Sequence, residues 1–268
     1  MLKFIIKEII YTGHLQALGA TSVSLLASSY LGVPLFPKPL ILGISFYLLF
    51  QAIYYTDRIL DLKKDVLTNG ERVAHLSSKG RLYRILPLIF FIIFSLITYY
   101  YFSFKLTLLF SLLLLLGVFY PLFLKSLTKY VPLFKNIYVS LFYASVPLIS
   151  LVSFSEYDPN IWNLAFFVFV NIFTMQIILD LKDIESDSKE GLKTLPVLLG
   201  FNSTVKTALV ILSLFSLYFL IYSPLNILML FFNAFVIGYS LYLLNKDSKW
   251  GYILMASLPL LWLPVILV

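Results

Sequence analysis

Residues 162–187 of the chain read WNLAFFVFVNIFTMQIILDLKDIESD, an apolar run that ends in three aspartates. The apolar part has about the 20 residues that an α-helix needs to cross a bilayer. Asp180, Asp183 and Asp187 follow at three- and four-residue spacing, which stacks side chains on one face of a helix. Neighbouring carboxylates repel one another unless a cation lies between them. The stretch therefore predicts a membrane helix that ends in a cation-binding site.

The whole chain has the composition of a protein with many membrane spans. Of its 268 residues, 60% are hydrophobic and 12% are charged, and the mean hydropathy is +0.94. The pattern predicts an all-α membrane protein, and we interpret the first apolar segment as a span because it lacks a clear cleavage site. The nine predicted spans are residues 13–35, 39–56, 85–104, 106–124, 136–154, 162–180, 207–223, 225–244 and 250–268.

Positive charge is concentrated on one side of these predicted spans. Threading from a cytoplasmic N-terminus leaves 18 of the 20 Lys and Arg residues in cytoplasmic loops, with only Lys38 and Lys105 outside. The asymmetry predicts that the N-terminus and the active site are cytoplasmic and that the C-terminus lies outside. It also explains the net charge of +7 by topology and contact with membrane lipid, so we expect no nucleic-acid partner.

A second acidic cluster follows the second predicted span. Asp57, Asp61 and Asp65 repeat at four-residue spacing, and a loop rich in Lys and Arg follows them. Glycines in the loops after both clusters indicate short amphipathic helices that would form a lid.

The similarity between the two clusters also suggests how the chain is organised. We interpret residues 1–268 as one membrane domain of two similar four-helix units, roughly 13–124 and 136–244, plus a last helix at 250–268.

The two clusters predict a site for a metal ion and a phosphate group. The chain has no Cys and only two His, so converging aspartates would make an all-oxygen site, which suits Mg²⁺. Magnesium in such sites is commonly completed by substrate phosphates. Basic residues beside the clusters would bind the remaining phosphate oxygens: Arg58, Lys63, Lys64, Arg72, Lys125 and Lys193.

The surroundings of the clusters predict a hydrocarbon tail on this phosphate ligand. The site would open into a bundle rich in Phe and Tyr, which fits an isoprenyl diphosphate better than a nucleotide. Tyr54, Tyr55 and Tyr120 are candidates to stabilise an allylic cation. Asn171 and Gln176 would either line an acceptor pocket or form hydrogen bonds between helices. His14 and His75 lack metal-ligand spacing, and we assign neither a role.

Four features resemble the UbiA superfamily of intramembrane prenyltransferases along nearly the whole chain. Asp57 and Asp61 match the last two aspartates of its motif Asn-Asp-x-x-Asp-x-x-x-Asp, and the run from Asp183 to Pro196 matches its Asp-x-x-x-Asp motif with the following Gly and Thr-rich turn. Tyr120-Pro121 with Lys125 resembles the family's Tyr-Pro…Lys-Arg segment. Lys135-Asn136 resembles the start of its fifth helix. The chain departs from the family at Ile53, Tyr54 and Ser126, where Asn, Asp and Arg are usual.

The resemblance implies a ring of helices around a central cavity, with Mg²⁺ as cofactor and with an isoprenyl diphosphate and a lipophilic acceptor as partners. Within it, the implied catalytic residues are Asp57, Asp61, Asp183, Asp187, Lys125 and Tyr120. The four aspartates of this set would hold the metal, with Asp65 and Asp180 as further candidate ligands. The implied diphosphate-binding residues are Arg58, Arg72, Lys125 and Lys193.

Two alternatives to the enzyme remain at this stage. An ion-coupled membrane carrier would also place aspartates near broken helices, but it predicts acidic residues near the middle of the membrane. A homologue that binds isoprenoids without turnover is suggested by the departures at Ile53 and Tyr54.

Overall fold

The computed structural model of the chain describes residues 2–68, 70–154, 158–222, 227–246 and 249–263. The side chains of residues 2, 3, 63–65, 67, 68, 222, 227, 228 and 249 are also outside the described part. The candidate metal ligand Asp65 and the candidate phosphate-binding residues Lys63 and Lys64 therefore lie outside the described side chains.

The regular secondary structure in these ranges is entirely helical, which confirms the all-α prediction. The helices are α1 (Leu2–Tyr11), α2 (His14–Tyr30), α3 (Lys38–Thr68), α4 (Gly70–Ser77), α5 (Leu82–Tyr101), α6 (Phe104–Leu122), α7 (Phe134–Phe154), α8 (Ile161–Leu179), α9 (Ile184–Lys189), α10 (Leu195–Tyr222), α11 (Ile227–Asn245) and α12 (Lys249–Ala256). Short 3₁₀ turns cover Leu124–Lys129, Asp180–Asp183 and Leu260–Trp262.

The predicted count of nine spans is not confirmed by the described ranges. Six helices there are long and apolar enough to cross a bilayer, namely α3, α5, α6, α7, α8 with its continuation to Lys189, and α10. Helix α2 has 17 residues, and α11 supplies a shorter apolar stretch. The last predicted span is not one helix, because α12 ends at Ala256. Pro259 follows, which has no N–H to continue the helical hydrogen bonds.

Helices α3 and α8 form the centre of the bundle. Helix α8 packs against α7 and α10, and α3 packs against α2, α5 and α6. Most residues of α8 are buried around its whole circumference, which explains why its sequence is apolar without an amphipathic pattern. Helices α5, α6 and α10 instead expose large apolar side chains such as Leu96, Leu115 and Leu214. Such surfaces are expected to face lipid.

A chain of polar side chains joins α8, α11 and the C-terminal turn. Asn233 donates a short hydrogen bond from Nδ2 to Oδ1 of Asn171, and Trp262 donates from Nε1 to Oδ1 of Asn233 at 3.3 Å. Asn171 also donates to the carbonyl oxygen of Phe167 at 2.9 Å. A polar group surrounded by apolar helices needs such partners. Of the two roles expected for Asn171, the structure therefore favours hydrogen bonding between helices.

Helix α3 is longer than a bilayer requires. Its 31 residues span roughly 46 Å, against about 30 Å of hydrocarbon. Asp57 and Asp61, which the sequence analysis placed at a helix end, therefore lie one turn apart within a continuous helix. The loop after the first acidic cluster contains a short helix, α4, whereas the short helix α9 lies within the second cluster, contains Asp187 and ends before Gly191.

Two glycines make room for the residues just before Asp57. A methyl group on Gly117 of α6 would lie 2.2 Å from Cδ1 of Ile53 and 3.2 Å from Cζ of Phe142. Gly13, which has a φ of 88° between α1 and α2, faces Tyr54, and a Cβ there would lie 2.6 Å from Cβ of Tyr54. Ile53 and Tyr54, the two departures from the family motif, are thus packing residues that each lie against a glycine.

We expect Gly117→Ala to lower the melting temperature of the detergent-purified protein, at a cost of about 1–3 kcal/mol in unfolding free energy. The reason is that Ile53 is β-branched and cannot easily turn away within its helix. In an Ile53→Ala background the same methyl group would fill vacated space and should be tolerated. The control is Gly238→Ala, which has nothing within 4 Å of the new atom. An equal loss of stability for Gly117→Ala in both backgrounds would contradict this packing.

Candidate active site

A cavity of about 490 Å³ brings most of the predicted site residues together. Its walls come from α2, α3, α6, α7 and α8, and the short helices α4 and α9 also contribute. One part of the lining is charged, with six basic and seven acidic side chains, and the other part is largely aromatic. The cavity therefore offers a polar region and an apolar region to one ligand.

The carboxylates of α3 are paired with cations in this cavity. Lys125, in the 3₁₀ turn after α6, donates from Nζ to Oδ2 of Asp61 at 2.5 Å and lies 3.8 Å from Oδ1 of Asp57. Nη1 of Arg58 lies 3.4 Å from Oδ2 of Asp57. These contacts offset the repulsion between two carboxylates one turn apart.

Asp180 has a different environment from the aspartates that follow it. It is 2% exposed, and its two oxygens accept hydrogen bonds from Nζ of Lys135 at 2.6 Å and Nδ2 of Asn136 at 2.8 Å. Both bonds come from the start of α7, toward which the 3₁₀ turn carries Asp180. Because both of its oxygens already accept hydrogen bonds from the start of α7, Asp180 is suited to position Lys135 and Asn136.

Asp183 and Asp187 also line the cavity. Asp187 is 7% exposed, and its Oδ2 atom is buried and has no donor at full hydrogen-bond geometry among the described residues, although the Thr194 hydroxyl lies close to this carboxylate. A buried carboxylate oxygen without a donor is costly unless a ligand supplies one. This oxygen therefore fits a site for a cation.

Lys135 is a cavity residue that the site prediction did not include. Its sequence signal was the polar pair Lys135-Asn136 at the start of a predicted span. Lys182 and Lys189, beside the second acidic cluster, also line the cavity.

Aromatic rings form the apolar part of the cavity. The ring of Phe50 lies 5.2 Å from that of Phe142 and 4.8 Å from that of Tyr143, and Tyr120 stacks on Tyr138 at 4.8 Å. The hydroxyl of Tyr143 donates to the backbone oxygen of Gln16 at 2.8 Å. Several faces of rings are thus available where a hydrocarbon chain or a carbocation would lie.

The structure separates the predicted site residues into two sets. Those that line the cavity are Tyr54, Asp57, Arg58, Asp61, Arg72, Tyr120, Lys125, Gln176, Asp180, Asp183 and Asp187. Tyr55, Asn171 and Lys193 are not among its lining residues. Tyr55 is buried beside α1, and Lys193 is exposed, while its backbone N–H donates to the carbonyl of Thr128 at 2.9 Å.

The carboxylates do not form a complete metal cage by themselves. Within the described residues, no three His, Asp or Glu side chains are grouped so that they would hold a metal ion. The donor set is nevertheless all oxygen, which suits Mg²⁺. Because Mg²⁺ commonly takes one or two carboxylates and completes its shell with water and phosphate, the residues present fit this ion only together with a phosphate ligand.

A second charged cluster lies around Glu8 on α1. Glu8 accepts hydrogen bonds from the hydroxyl of Tyr55 at 2.5 Å, from Nε2 of His75 at 2.8 Å and from Lys79, and Nε2 of His14 lies 3.5 Å away. Burial works to raise the pKa of Glu8, but the hydrogen bonds from these four neighbours outweigh it and hold the pKa well below its usual range. No pattern in the sequence indicated this cluster, because Glu8 precedes the first predicted span.

Three solved structures share the fold of the chain at low sequence identity. A UbiA homologue from Aeropyrum pernix K1 in its apo form has a TM-score of 0.73 and 17% identity, covering 94% of this chain and 96% of that one. A UbiA homologue from Archaeoglobus fulgidus bound to GPP and Mg²⁺ has a TM-score of 0.64 and 16% identity, covering 97% and 99%. Digeranylgeranylglyceryl phosphate synthase has a TM-score of 0.58 and 20% identity, covering 99% and 94%.

The sequence itself identifies the family. No curated protein sequence matches the chain. The profile of the UbiA prenyltransferase family matches residues 17–250, which is most of its length. The apolar helices described above are those of an integral membrane protein. The chain belongs to the UbiA prenyltransferase family.

Proposed function

We propose that the chain transfers a prenyl group from an isoprenyl diphosphate to a lipophilic acceptor within the membrane, with Mg²⁺ as cofactor. The observation that carries the proposal is the two-part cavity, in which paired acidic and basic side chains adjoin a wall of aromatic rings. An anionic head with a hydrocarbon tail matches both parts. The solved UbiA homologue bound to GPP and Mg²⁺ supports the same class of ligand.

The four aspartates outside the Lys135 contact are the proposed metal ligands. Asp57 and Asp61 would act from α3, and Asp183 and Asp187 from the segment after α8. When bound, Mg²⁺ would neutralise charge that develops on the departing diphosphate. The protein's contribution is to hold the carboxylates at the polar end of an otherwise apolar cavity.

The basic side chains of the cavity are proposed to bind phosphate oxygens. Lys125 and Arg58 now contact carboxylates of α3, and Lys135 contacts Asp180. Arg72 reaches the same cavity from α4. Charge-assisted hydrogen bonds of this kind are stronger than neutral ones, and Arg can bind phosphate in a bidentate manner.

In the proposed reaction the bond between prenyl C1 and a diphosphate oxygen breaks, and the electron pair leaves with diphosphate. The acceptor then forms a bond to C1 and releases a proton. The faces of Phe50, Tyr54 and Tyr120 would stabilise the allylic cation. The apolar wall would also exclude water that would otherwise capture it.

The acceptor is proposed to be lipophilic, either an aromatic quinone precursor or a lipid. Gln176 lines the cavity near the second acidic cluster, and Gln16 lines it from α2, so both are candidates to orient a polar group of the acceptor. The fold similarity to digeranylgeranylglyceryl phosphate synthase makes a glycerol phosphate lipid one acceptor class to assay.

We also propose that the charged end of the cavity faces the cytoplasm. The positive-inside pattern of the loops supports this orientation. Lys125, Lys129 and Lys135 then lie on the cytoplasmic side, and Lys105 lies outside.

The first test compares Asp57→Asn and Asp183→Asn with the unchanged protein. Each substitution should lower kcat/KM for diphosphate release from GPP or longer prenyl diphosphates by on the order of 10²-fold, because it removes a proposed ligand of the Mg²⁺ that would neutralise the leaving diphosphate. The assay measures diphosphate and prenylated product from detergent-purified protein over an acceptor panel, with Mg²⁺ or EDTA. Melting temperatures establish that the variants are folded.

Asp158→Asn is the control, since Asp158 is acidic but is not among the cavity-lining residues; it should keep full activity. Turnover in the presence of EDTA, or unchanged turnover by Asp57→Asn, would contradict the proposed role of the metal. Binding of diphosphate without release to any acceptor would favour a non-catalytic homologue. No binding would favour a carrier.

The second test concerns Lys135. The double substitution Lys135→Met with Asp180→Asn removes the cation without leaving Asp180 as a buried unpaired charge. Hydrogen bonds to charged groups contribute about 1.5–3 kcal/mol, so KM for the diphosphate should rise roughly 10- to 100-fold. Lys129→Met, an exposed substitution in the preceding 3₁₀ turn, is the control. An unchanged KM in the double variant would contradict the proposal that Lys135 binds the diphosphate.

The third test uses the absence of cysteine to establish orientation. Lys105→Cys and Lys129→Cys each introduce one thiol into a chain with none. An impermeant maleimide applied to intact cells should label the cysteine at position 105 and not the one at position 129, because only the former is proposed to lie outside. Permeabilised cells should show labelling at both positions. The reverse pattern in intact cells would invert the proposed topology.

A further inference from the structure

Glu8 binds side chains of three helices, α2, α3 and α4, that each contribute residues to the cavity lining, and of the turn after α4. Its partners are His14 on α2, Tyr55 on α3, His75 on α4, and Lys79 just after α4. The side chains of His75 and Lys79 are 3% and 9% exposed, so these bonds form away from bulk solvent. Glu8 is not among the described residues that line the cavity.

Helix α4 depends on contacts with its neighbours for its position. It has only eight residues, which is too short to be stable in isolation. Its buried Leu76 packs with Tyr55 and Tyr83. Further contacts come from α1, where Phe4 packs on the ring of His75 at 5.0 Å.

The same face of α4 that binds Glu8 also reaches the cavity. Arg72 and His75 are three residues apart within α4, which places them on one face of the helix, and Lys79 follows in the turn after α4. His75 and Lys79 bind Glu8, while Arg72 is 9% exposed and lines the cavity. The position of the Arg72 side chain is therefore set by how α4 is held against α1 and α3.

We propose that Glu8 is a positioning residue that anchors α4 and thereby holds Arg72 over the diphosphate end of the cavity. The proposal rests on the proposed function, since it takes the anion that Arg72 meets to be a prenyl diphosphate. In this proposal, the N-terminal helix α1 affects substrate binding although it does not touch the substrate. A loosened α4 would weaken diphosphate binding more than it would slow the chemical step.

A double-mutant cycle tests this connection. Glu8→Gln keeps the shape of the side chain but removes the charge that His75 and Lys79 share. It should raise KM for the prenyl diphosphate by about tenfold with kcat changed less than about threefold, as expected when binding common to ground and transition states is lost. In an Arg72→Ala background, the same substitution should raise KM by less than about twofold, because the residue it positions is absent.

Lys7→Gln, a neighbouring exposed substitution on α1, is the matched control and should leave KM unchanged. Lys79→Met removes the other end of the ion pair and should reproduce the effect of Glu8→Gln. Agreement between the two variants would show that the effect does not come from a folding defect of one of them. If the increase in KM of the double variant equals the product of the increases of Glu8→Gln and Arg72→Ala, the two residues act independently and the proposal is overturned.

Hydrogen–deuterium exchange separates this inference from the proposed function. Amides of residues 70–79 should exchange faster in Glu8→Gln than in the unchanged protein, while those of α8 should not change. If the unchanged protein neither binds nor turns over a prenyl diphosphate, the proposed function fails, and exchange in α4 still decides whether Glu8 is its anchor. Unchanged exchange over 70–79 would overturn the anchor itself.

Discussion

Balance of charge inside a bundle of apolar helices is the constraint on which the rest of this structure depends. A carboxylate or ammonium group in such surroundings is costly unless it has a partner of opposite charge. Lys125 therefore lies beside Asp57 and Asp61, and Lys135 beside Asp180. A diphosphate that enters with Mg²⁺ would provide a cation for the carboxylates and an anion for the lysines. Binding would then be an exchange of partners, which avoids leaving any charge alone.

This constraint also explains why irregular segments occur where the charges lie. Lys125 is carried by a 3₁₀ turn, and Asp180 and Asp183 bound another one between α8 and α9. Backbone that departs from the α-helix is tolerated in a membrane protein where it lines a cavity or is buried in protein. These turns redirect the chain so that successive acidic residues have different partners. Asp180 consequently binds the start of α7, while Asp187 keeps an oxygen to which no described residue donates in full hydrogen-bond geometry.

Much of the fold and part of the site followed from hydropathy and spacing, because long apolar runs and recurring aspartates are local features. Spacing fixes which residues share a helical face, but it does not say which face turns toward the cavity. Tyr54 and Tyr55 are neighbours separated by roughly 100° around the helix axis, so the first lines the cavity and the second binds Glu8. Which of two neighbouring residues faces the cavity is decided by the packing of the helices. The same holds for Asn171, whose partner Asn233 is distant in sequence.

The two departures from the family motif show how packing and chemistry are linked at this site. Ile53 and Tyr54 lie against glycines of α6 and of the turn before α2, so this stretch of α3 serves helix packing and supplies no oxygen ligand before Asp57. Asp57 is then the first carboxylate of α3 in the cavity lining, and no complete metal cage is formed by the described residues. Since Mg²⁺ accepts phosphate oxygens in place of protein ligands, we expect metal and diphosphate to bind this chain as one unit. The six basic residues described in the cavity lining would neutralise the remaining negative charge of the diphosphate.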